Sequence, residues 1–506
     1  MIIGLRPKLA RIAILAGTIG LALTASTASA GTLTTGFLDP SNAALSDPQQ
    51  ELSPAASMHG VQLAGSKIVR FYIYWRAVAG DTEPVHPADP NDPSYDWNAH
   101  HIFDNVTEAE NRGLTVMLTL RSAPDWAQRG KTSPRGTHNP DPQMLKQFTQ
   151  AALAKFHNVK YWGVWNEPNY KTFLSPQYKD GKLVSPGMYR TLLNAAAGPI
   201  HNQGKFVVAG ETAPFSHWDR KGHPTAAGPL LWNRKLLCMD THYKPTCKTN
   251  VHADIWATHP YTSGNVWHHA LDKNSVSYGD LPDWTKLIRS AARAKHITNK
   301  AGNHSVRLWI TEFSWDSKPI DPIAVPSALH VRWTTESLYR AWQLGIDVVL
   351  WGQLRDYPIG TSKFYGQYQS GLFYCDDSPI IDDPCTPTMD PAVTGPHVTA
   401  KPSLQAFRFP FVAYARNGHV KIWGRTPSSK SISVSIQRHA SSGWKSWKGP
   451  FTAGAGGIFQ KTYSSPLKRG KLRAVVSAEA SRAFSLVRPP DKTVIPFGCG
   501  GAVACP

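Results

Sequence analysis

Eight short apolar runs, each followed by a stretch suited to helix, constrain the fold of this chain more than any other feature. The runs are Thr35–Phe37, Ile68–Trp75, Leu114–Leu120, Val159–Trp165, Phe206–Gly210, Ile255–His259, Leu308–Glu312 and Asp347–Trp351. The helical stretches lie near Ser46–Leu63, Trp97–Asn111, Gln143–Phe156, Pro186–Asn202, Pro229–Leu237, Trp284–Lys300, Pro326–Gln343 and Ser403–Arg408. In Trp97–Asn111, Ile102, Val106 and Ala109 recur at i, i+4 and i+7 among polar neighbours, the period of one helix face. Regular alternation of this kind calls for a parallel sheet. The connections are also polarised. Helix-to-strand links are short and hold a glycine where a helix end wants one, as in Arg112-Gly113, Gln203-Gly204 and Leu344-Gly345. Strand-to-helix links such as Ala79–Asp96, Ser122–Pro142, Pro168–Ser185, Thr212–Gly228, Thr262–Asp283 and Gln353–Pro402 are long and rich in Pro, Gly and aromatics. A (β/α)8 TIM barrel has this asymmetry, with long loops on its active face and short ones beneath.

At 506 residues the chain has room for one such barrel and a minor domain. We place the barrel at residues 31–409. Asp376–Lys401 has the composition of a linker, yet the helix at Ser403–Arg408 still closes the eighth unit, so that segment belongs to the rim. Past Phe409 the period changes to two in Val420–Trp423, Ile432–Ile436, Ile458–Phe459 and Leu472–Val476, with turn signals at Asn417-Gly418 and Arg469-Gly470. This predicts an all-β, immunoglobulin-like sandwich of about seven strands over 410–490. A Pro/Gly-rich tail follows at 491–506.

Residues 1–30 read as a signal peptide: Arg6, Lys8 and Arg11, an apolar Ile12–Leu23, then Ala28-Ser29-Ala30. No later segment is apolar enough to span a membrane. A secreted, soluble, monomeric protein, extracellular or associated with the cell envelope, is expected. Six cysteines in three local pairs, Cys238 with Cys247, Cys375 with Cys385 and Cys499 with Cys505, suit an oxidising compartment. Their spacing does not suit zinc, and no metal or other cofactor is implied. The formal charge is +19, or +16 once the three cations of the leader are removed. It points either to a solvated surface or to anionic partners such as acidic glycans. No nucleic-acid motif accompanies it.

Two of the eight runs end in glutamate. Val159–Trp165 delivers Asn166-Glu167-Pro168-Asn169, and Val306–Thr311 delivers Glu312-Phe313. Paired carboxyls across one sugar ring are what glycoside hydrolysis needs: one protonates the leaving oxygen while the other attacks the anomeric carbon or activates water there. Asn-Glu-Pro after an aromatic-rich fourth strand, with a second glutamate ending the seventh, resembles the retaining glycoside hydrolases of clan A. Families 39 and 5, which include β-xylosidases, α-L-iduronidases and endo-glucanases, are the nearest likeness, over roughly residues 36–409.

The resemblance implies a general acid/base at Glu167 and a nucleophile at Glu312. It also implies that Asn166 contacts the sugar 2-hydroxyl, that Tyr261 of His259-Pro260-Tyr261 donates to the nucleophile, and that Trp351 forms a platform under the reacting sugar. Arg70 matches a second-strand arginine that supports the nucleophile, although a buried arginine needs a carboxylate partner in any case. Arg121 stands where several family members have histidine, and with the basic surface it hints at an anionic sugar. Trp126, Asp125, Trp75 and Trp315 are further subsite candidates, with core packing as the alternative. Trp423, Trp444 and Trp447 of the small domain form either a carbohydrate platform or core and seam. The activity read from these residues is hydrolysis of O-glycosidic bonds in a poly- or oligosaccharide by double displacement. The alternatives are a transglycosylase and a non-catalytic glycan- or envelope-binding protein on a barrel scaffold.

Overall fold

A computed structural model describes residues 31–41, 52–318, 324–356, 369–374 and 400–494. The leader and the cysteine pairs 375/385 and 499/505 fall outside them. The barrel strands are β1 Thr34–Leu38, β2 Ile68–Tyr74, β3 Thr115–Arg121, β4 Tyr161–Val164, β5 Phe206–Thr212, β6 Ile255–Thr258, β7 Arg307–Phe313 and β8 Val348–Gly352. They pair in parallel and in sequence order, and β1 joins both β2 and β8, which closes the barrel. Around it run α1 Pro54–Leu63, α2 Ile102–Asn111, α3 Pro142–Lys155, α4 Ser185–Asn202, α5 Pro229–Leu236, α6 Leu281–Arg293, α7 Ser327–Gln343 and α8 Pro402–Arg408.

Each expected strand and helix is present, with shifted ends. The first part of Trp97–Asn111 is not α-helix, because His100 and His101 adopt left-handed backbone conformations and the helix begins at Ile102. The sixth helix, α6, starts at Leu281 and stops at Arg293, and Ile297–Thr298 beyond it pairs with Val251–His252.

Period-two alternation builds two cores. Ile68, Met117, Val208, Ile255, Ala257, Trp309, Val348 and Leu350 fill the barrel lumen. Their strand neighbours Val69, Phe71, Leu118, Leu120, Leu308 and Ile310 face the helices. Because β2 alternates, Arg70 and Tyr72 fall on the lumen side with Ile68, and this is what carries a charge into the barrel. Among the described residues, no helix is long and apolar enough to cross a membrane.

The C-terminal domain has eight strands: β9 Phe411–Arg416, β10 His419–Arg425, β11 Ser433–Ala440, β12 Gly443–Thr452, β13 Ile458–Ser464, β14 Lys471–Val476, β15 Glu479–Ala480 and β16 Phe484–Ser485. They form one antiparallel sheet in the order β9-β10-β13 and another in the order β12-β11-β14-β15, with β16 also on β14. Phe451 meets Phe459 and Tyr414 meets Phe484 between the sheets, at 5.7 and 5.6 Å. Asn417-Gly418 turns the first hairpin, both residues at positive φ, as a two-residue hairpin turn requires. Trp423 is fully buried against Tyr339 and Trp342 of α7, at 5.3 and 5.6 Å, so it belongs to the seam with the barrel and is not a sugar platform. Arg425 ties the same seam: Nη1 donates to the Leu33 carbonyl, and Nη2 to the Thr35 hydroxyl and the Phe407 carbonyl, at 3.0–3.1 Å.

Candidate active site

The residues at the C-terminal ends of β2, β4, β5, β6 and β7 converge on one polar cluster. Glu167 follows β4, where the chain turns through left-handed conformations at Trp165 and Glu167, with φ of 66° and 43°. Side chains other than glycine rarely adopt these, and they persist only where surrounding contacts impose them. Here the Glu167 amide donates to the Glu211 carbonyl, the Trp165 indole donates to the Phe173 carbonyl, and Asn169 bridges Ala213 and Ala227.

Glu312 reaches the site through an irregularity. Trp309, Ile310 and Phe313 pair with Val348, Val349 and Trp351, so β7 holds one extra residue before Phe313. A bulge of this kind re-aims the side chains beyond it. Thr311 faces the lumen, and Glu312, which strict alternation would turn outward, also enters the site. The Tyr261 hydroxyl donates to Glu312 Oε1 at 2.9 Å and the Tyr72 hydroxyl to Oε2 at 3.2 Å, while Arg70 Nη1 lies 3.6 Å from Oε2. Accepting on both oxygens is the pattern of an ionised carboxylate.

His259 stands between the glutamates. Its Nδ1 is 2.9 Å from Glu167 Oε1 and 3.5 Å from Glu312 Oε2, and its Nε2 is 3.1 Å from the Thr311 hydroxyl. Burial lowers this histidine to about 3, with Glu312 opposing and Arg70 reinforcing the shift, so the ring is neutral. Glu167 is pushed the other way. Burial raises its carboxyl to about 7, while Arg121 and Arg70 pull it down. One carboxyl thus holds its proton near neutrality while the other is placed to be charged, the division of labour a pair of catalytic carboxyls requires. An oxygen of Glu167, a nitrogen of His259 and an oxygen of Glu312 all lie within 4.8 Å of one another.

A third glutamate was not singled out in the sequence. Glu211 is fully buried at the end of β5, again at a bulge: Ala257 pairs with Gly210 and Thr258 with Thr212, leaving Glu211 as the extra residue, at φ 45°. Arg70 Nη2 bridges Glu211 Oε1 at 2.8 Å and Asn166 Oδ1 at 2.9 Å. Burial raises Glu211 to about 7, with the Arg70 ion pair opposing the rise. Glu211 also draws a hydrogen bond from Thr311. Given to Glu211, the single Thr311 proton leaves its oxygen to accept from His259 Nε2–H. His259 Nδ1 is then an acceptor for the proton of Glu167, and Glu211 favours the protonated acid three links away. Tyr72 was also missed. Its period-two relation to Arg70 on β2 was the available signal.

Of the expected residues, Glu167, Glu312, Asn166, His259, Tyr261 and Arg70 come together. Arg70 is an ion-pair partner as well as a support, since its shortest carboxylate contact is to Glu211. Asn166 Oδ1 accepts from Arg70 Nη2, the Tyr72 hydroxyl shares its one proton between this oxygen and Glu312, and no hydrogen bond to the Asn166 amide nitrogen is present among the described residues. Arg121 lies at the rim with its guanidinium 4.8–5.0 Å from the Tyr72, Tyr74 and Phe173 rings.

Trp351 departs from expectation, whereas Trp75 and Trp315 follow the core-packing alternative. Trp351 does end β8, but it is fully enclosed among Phe313, Trp315, His330 and Phe407, and its indole donates to the Ser370 carbonyl at 2.7 Å. It offers no open stacking face. Trp75 and Trp315 are likewise core, stacked on Phe148 and packed on Phe313. Trp126 is half-buried, edge-on to Trp75, and donates to the Gly80 carbonyl. Asp125 is exposed, 3.8 Å from Arg76. Trp75, Trp315 and Trp351 lie where strand ends meet the helix layer, and burial there outcompetes display to solvent.

Among the described residues, Glu167, His259 and Glu312 form the trio with spacing for a metal ion. Arg70 beside Glu312 and Arg121 near Glu167 already supply positive charge there, which disfavours a further dication.

The fold and site define a (β/α)8 barrel with glutamates paired at the ends of β4 and β7. No protein-family model matches the chain, nor does any curated protein. Solved structures do match. The chain is similar to a family 39 glycoside hydrolase from the gut symbiont Bacteroides cellulosilyticus WH2, with 14% identity, a TM-score of 0.51, and 88% of this chain and 81% of that one covered. It also matches the catalytic domain of the GH30 xylanase C from Talaromyces cellulolyticus at 14% identity and a TM-score of 0.41, covering 88% and 96%. At such identity the likeness is one of fold.

Proposed function

We propose that this chain is a retaining O-glycoside hydrolase acting on a poly- or oligosaccharide by double displacement. Glu312 attacks the anomeric carbon as Glu167 protonates the leaving oxygen. Glu167, now a carboxylate, then takes a proton from water, which displaces Glu312. The observation that carries this reading is the approach of the two carboxyls to within 4.8 Å. Retaining enzymes hold theirs about 5–5.5 Å apart, whereas inverting ones keep about 6.5–9.5 Å to admit a water. Asn166, its oxygen anchored, is oriented to offer its amide to the sugar 2-hydroxyl. The family 39 fold likeness agrees with this assignment. Action outside the cytoplasm is part of the proposal, supported by the leader-like residues 1–30 and by the Cys238–Cys247 disulfide.

The test is chemical rescue. Glu312→Ala should lose turnover of an activated aryl glycoside, and azide should restore it with inverted configuration in the glycosyl azide. Rescue with retained configuration would overturn the assignment of Glu312.

A further inference from the structure

The small domain carries most of the protein's charge. Between residues 410 and 490 there are fourteen Lys and Arg against a single acid, Glu479, so these 81 residues hold +13 of the formal +19. With three cations in the leader, everything else amounts to only +3. Glu479 itself is taken by Arg408 of α8, at 2.6 Å. None of the fourteen cations has a carboxylate partner among the described residues, and all but Arg425 reach the surface. Cations concentrated this way repel one another and weaken the compact state unless something anionic neutralises them.

Aromatic rings stand among these cations along β12. Trp444 is half-buried, with the Arg473 guanidinium 4.3 Å from its ring centre and His439 edge-on at 5.0 Å. Arg473 is held there by donating from Nε to Gln437 Oε1 at 2.8 Å. Lys445 pairs in register with Arg438. Three residues beyond Trp444, Trp447 packs edge-on to Tyr463 at 5.5 Å, and the Lys448 ammonium lies 5.8 and 5.4 Å from these two rings.

We propose that the β12 edge of this sheet, flanked by Trp444 and Arg473 on one face and by Lys445, Trp447 and Lys448 on the other, binds an acidic polysaccharide of the polyuronate type. Carboxylates would engage Lys445, Lys448 and Arg473, and apolar sugar faces would lie against Trp444 and Trp447. Rings interleaved with cations also suit single-stranded nucleic acid. The choice of a glycan rests on the glycosidase reading of the barrel, for which a tethered polymer raises the local concentration of scissile bonds.

The test is affinity electrophoresis of the full chain through gels containing polygalacturonate or a neutral xylan, with a single-stranded oligonucleotide as competitor. Polygalacturonate should retard the protein, less so as salt rises, and neutral xylan should not. Lys445→Ser/Lys448→Ser/Arg473→Ser should weaken retardation about tenfold, and so should Trp444→Ala, with both variants still unfolding in a cooperative thermal transition. Glu312→Ala should bind like the wild type. Equal retardation by xylan, displacement by the oligonucleotide at lower concentration than by free polygalacturonate, or wild-type binding by the triple variant would overturn the proposal. Binding that persists in a protein hydrolysing no glycoside would overturn the glycosidase reading and leave the surface standing.

Discussion

At Glu167 the fold keeps a carboxyl where its charge is unwelcome, and this has consequences for both activity and stability. Its folded value of about 7 stands above the ordinary 4.5 because of burial. A group raised on folding stabilises the native state fully below its unfolded value and loses that contribution as pH climbs through the folded one. The shift corresponds to about 3 kcal/mol. Glu167→Gln, which cannot ionise, should therefore be more stable than the wild type at pH 8 by up to that amount and indistinguishable near pH 4, as measured by urea unfolding. Arg121 is the larger of the two cationic influences holding Glu167 down. The alkaline limb of kcat/KM, measured with a glycoside whose leaving group needs protonation, should fall near pH 7 in the wild type and at higher pH in Arg121→Gln. An unmoved limb would remove Arg121 from the acid's environment. The members of the site that ended clear apolar runs were legible in the sequence. Glu211 is not, because the apolar run before it ends at Gly210.

Among the elements, two one-residue irregularities account for most of what alternation could not reveal. Without the extra residue in β7, Glu312 would point toward the helices, and without the one in β5, Glu211 would not turn into the lumen. Nothing in a linear pattern distinguishes an extra residue from a longer strand. The lumen also had to be hollowed for Glu211. A Cβ on Gly163 in β4 would stand 2.4 Å from the Thr119 hydroxyl and 2.8 Å from Glu211 Oε2. Thr119 is tied to Arg70 at 3.0 Å and Glu211 to the same guanidinium, so neither yields freely. Gly163→Ala should cost about 1–3 kcal/mol in denaturant unfolding and should depress kcat more than it raises KM, because it disturbs Arg70 without reaching the rim.

Over the whole molecule, the barrel and the β-domain share a seam of which Trp423 is the centre. It is fully buried, and its indole N–H meets no acceptor among the described residues. Trp423→Ala should cost about 3–5 kcal/mol and split a single thermal transition into two, whereas Trp423→Phe should largely preserve one. One transition in the alanine variant would show that the domains unfold together without this contact. The amino-acid order by itself determined the eightfold strand–helix alternation, the polarity of the loops, the change to period two after Phe409, and the two strand-end glutamates, because each is a local pattern of burial and turn chemistry. Only the tertiary structure decided which tryptophans were enclosed and which stayed near solvent. It alone brought Glu211, Thr311 and His259 into line behind Glu167, and it turned Glu312 inward. Those outcomes depend on inter-strand register and on how neighbouring layers close over a side chain, quantities that exist only between segments far apart in the chain.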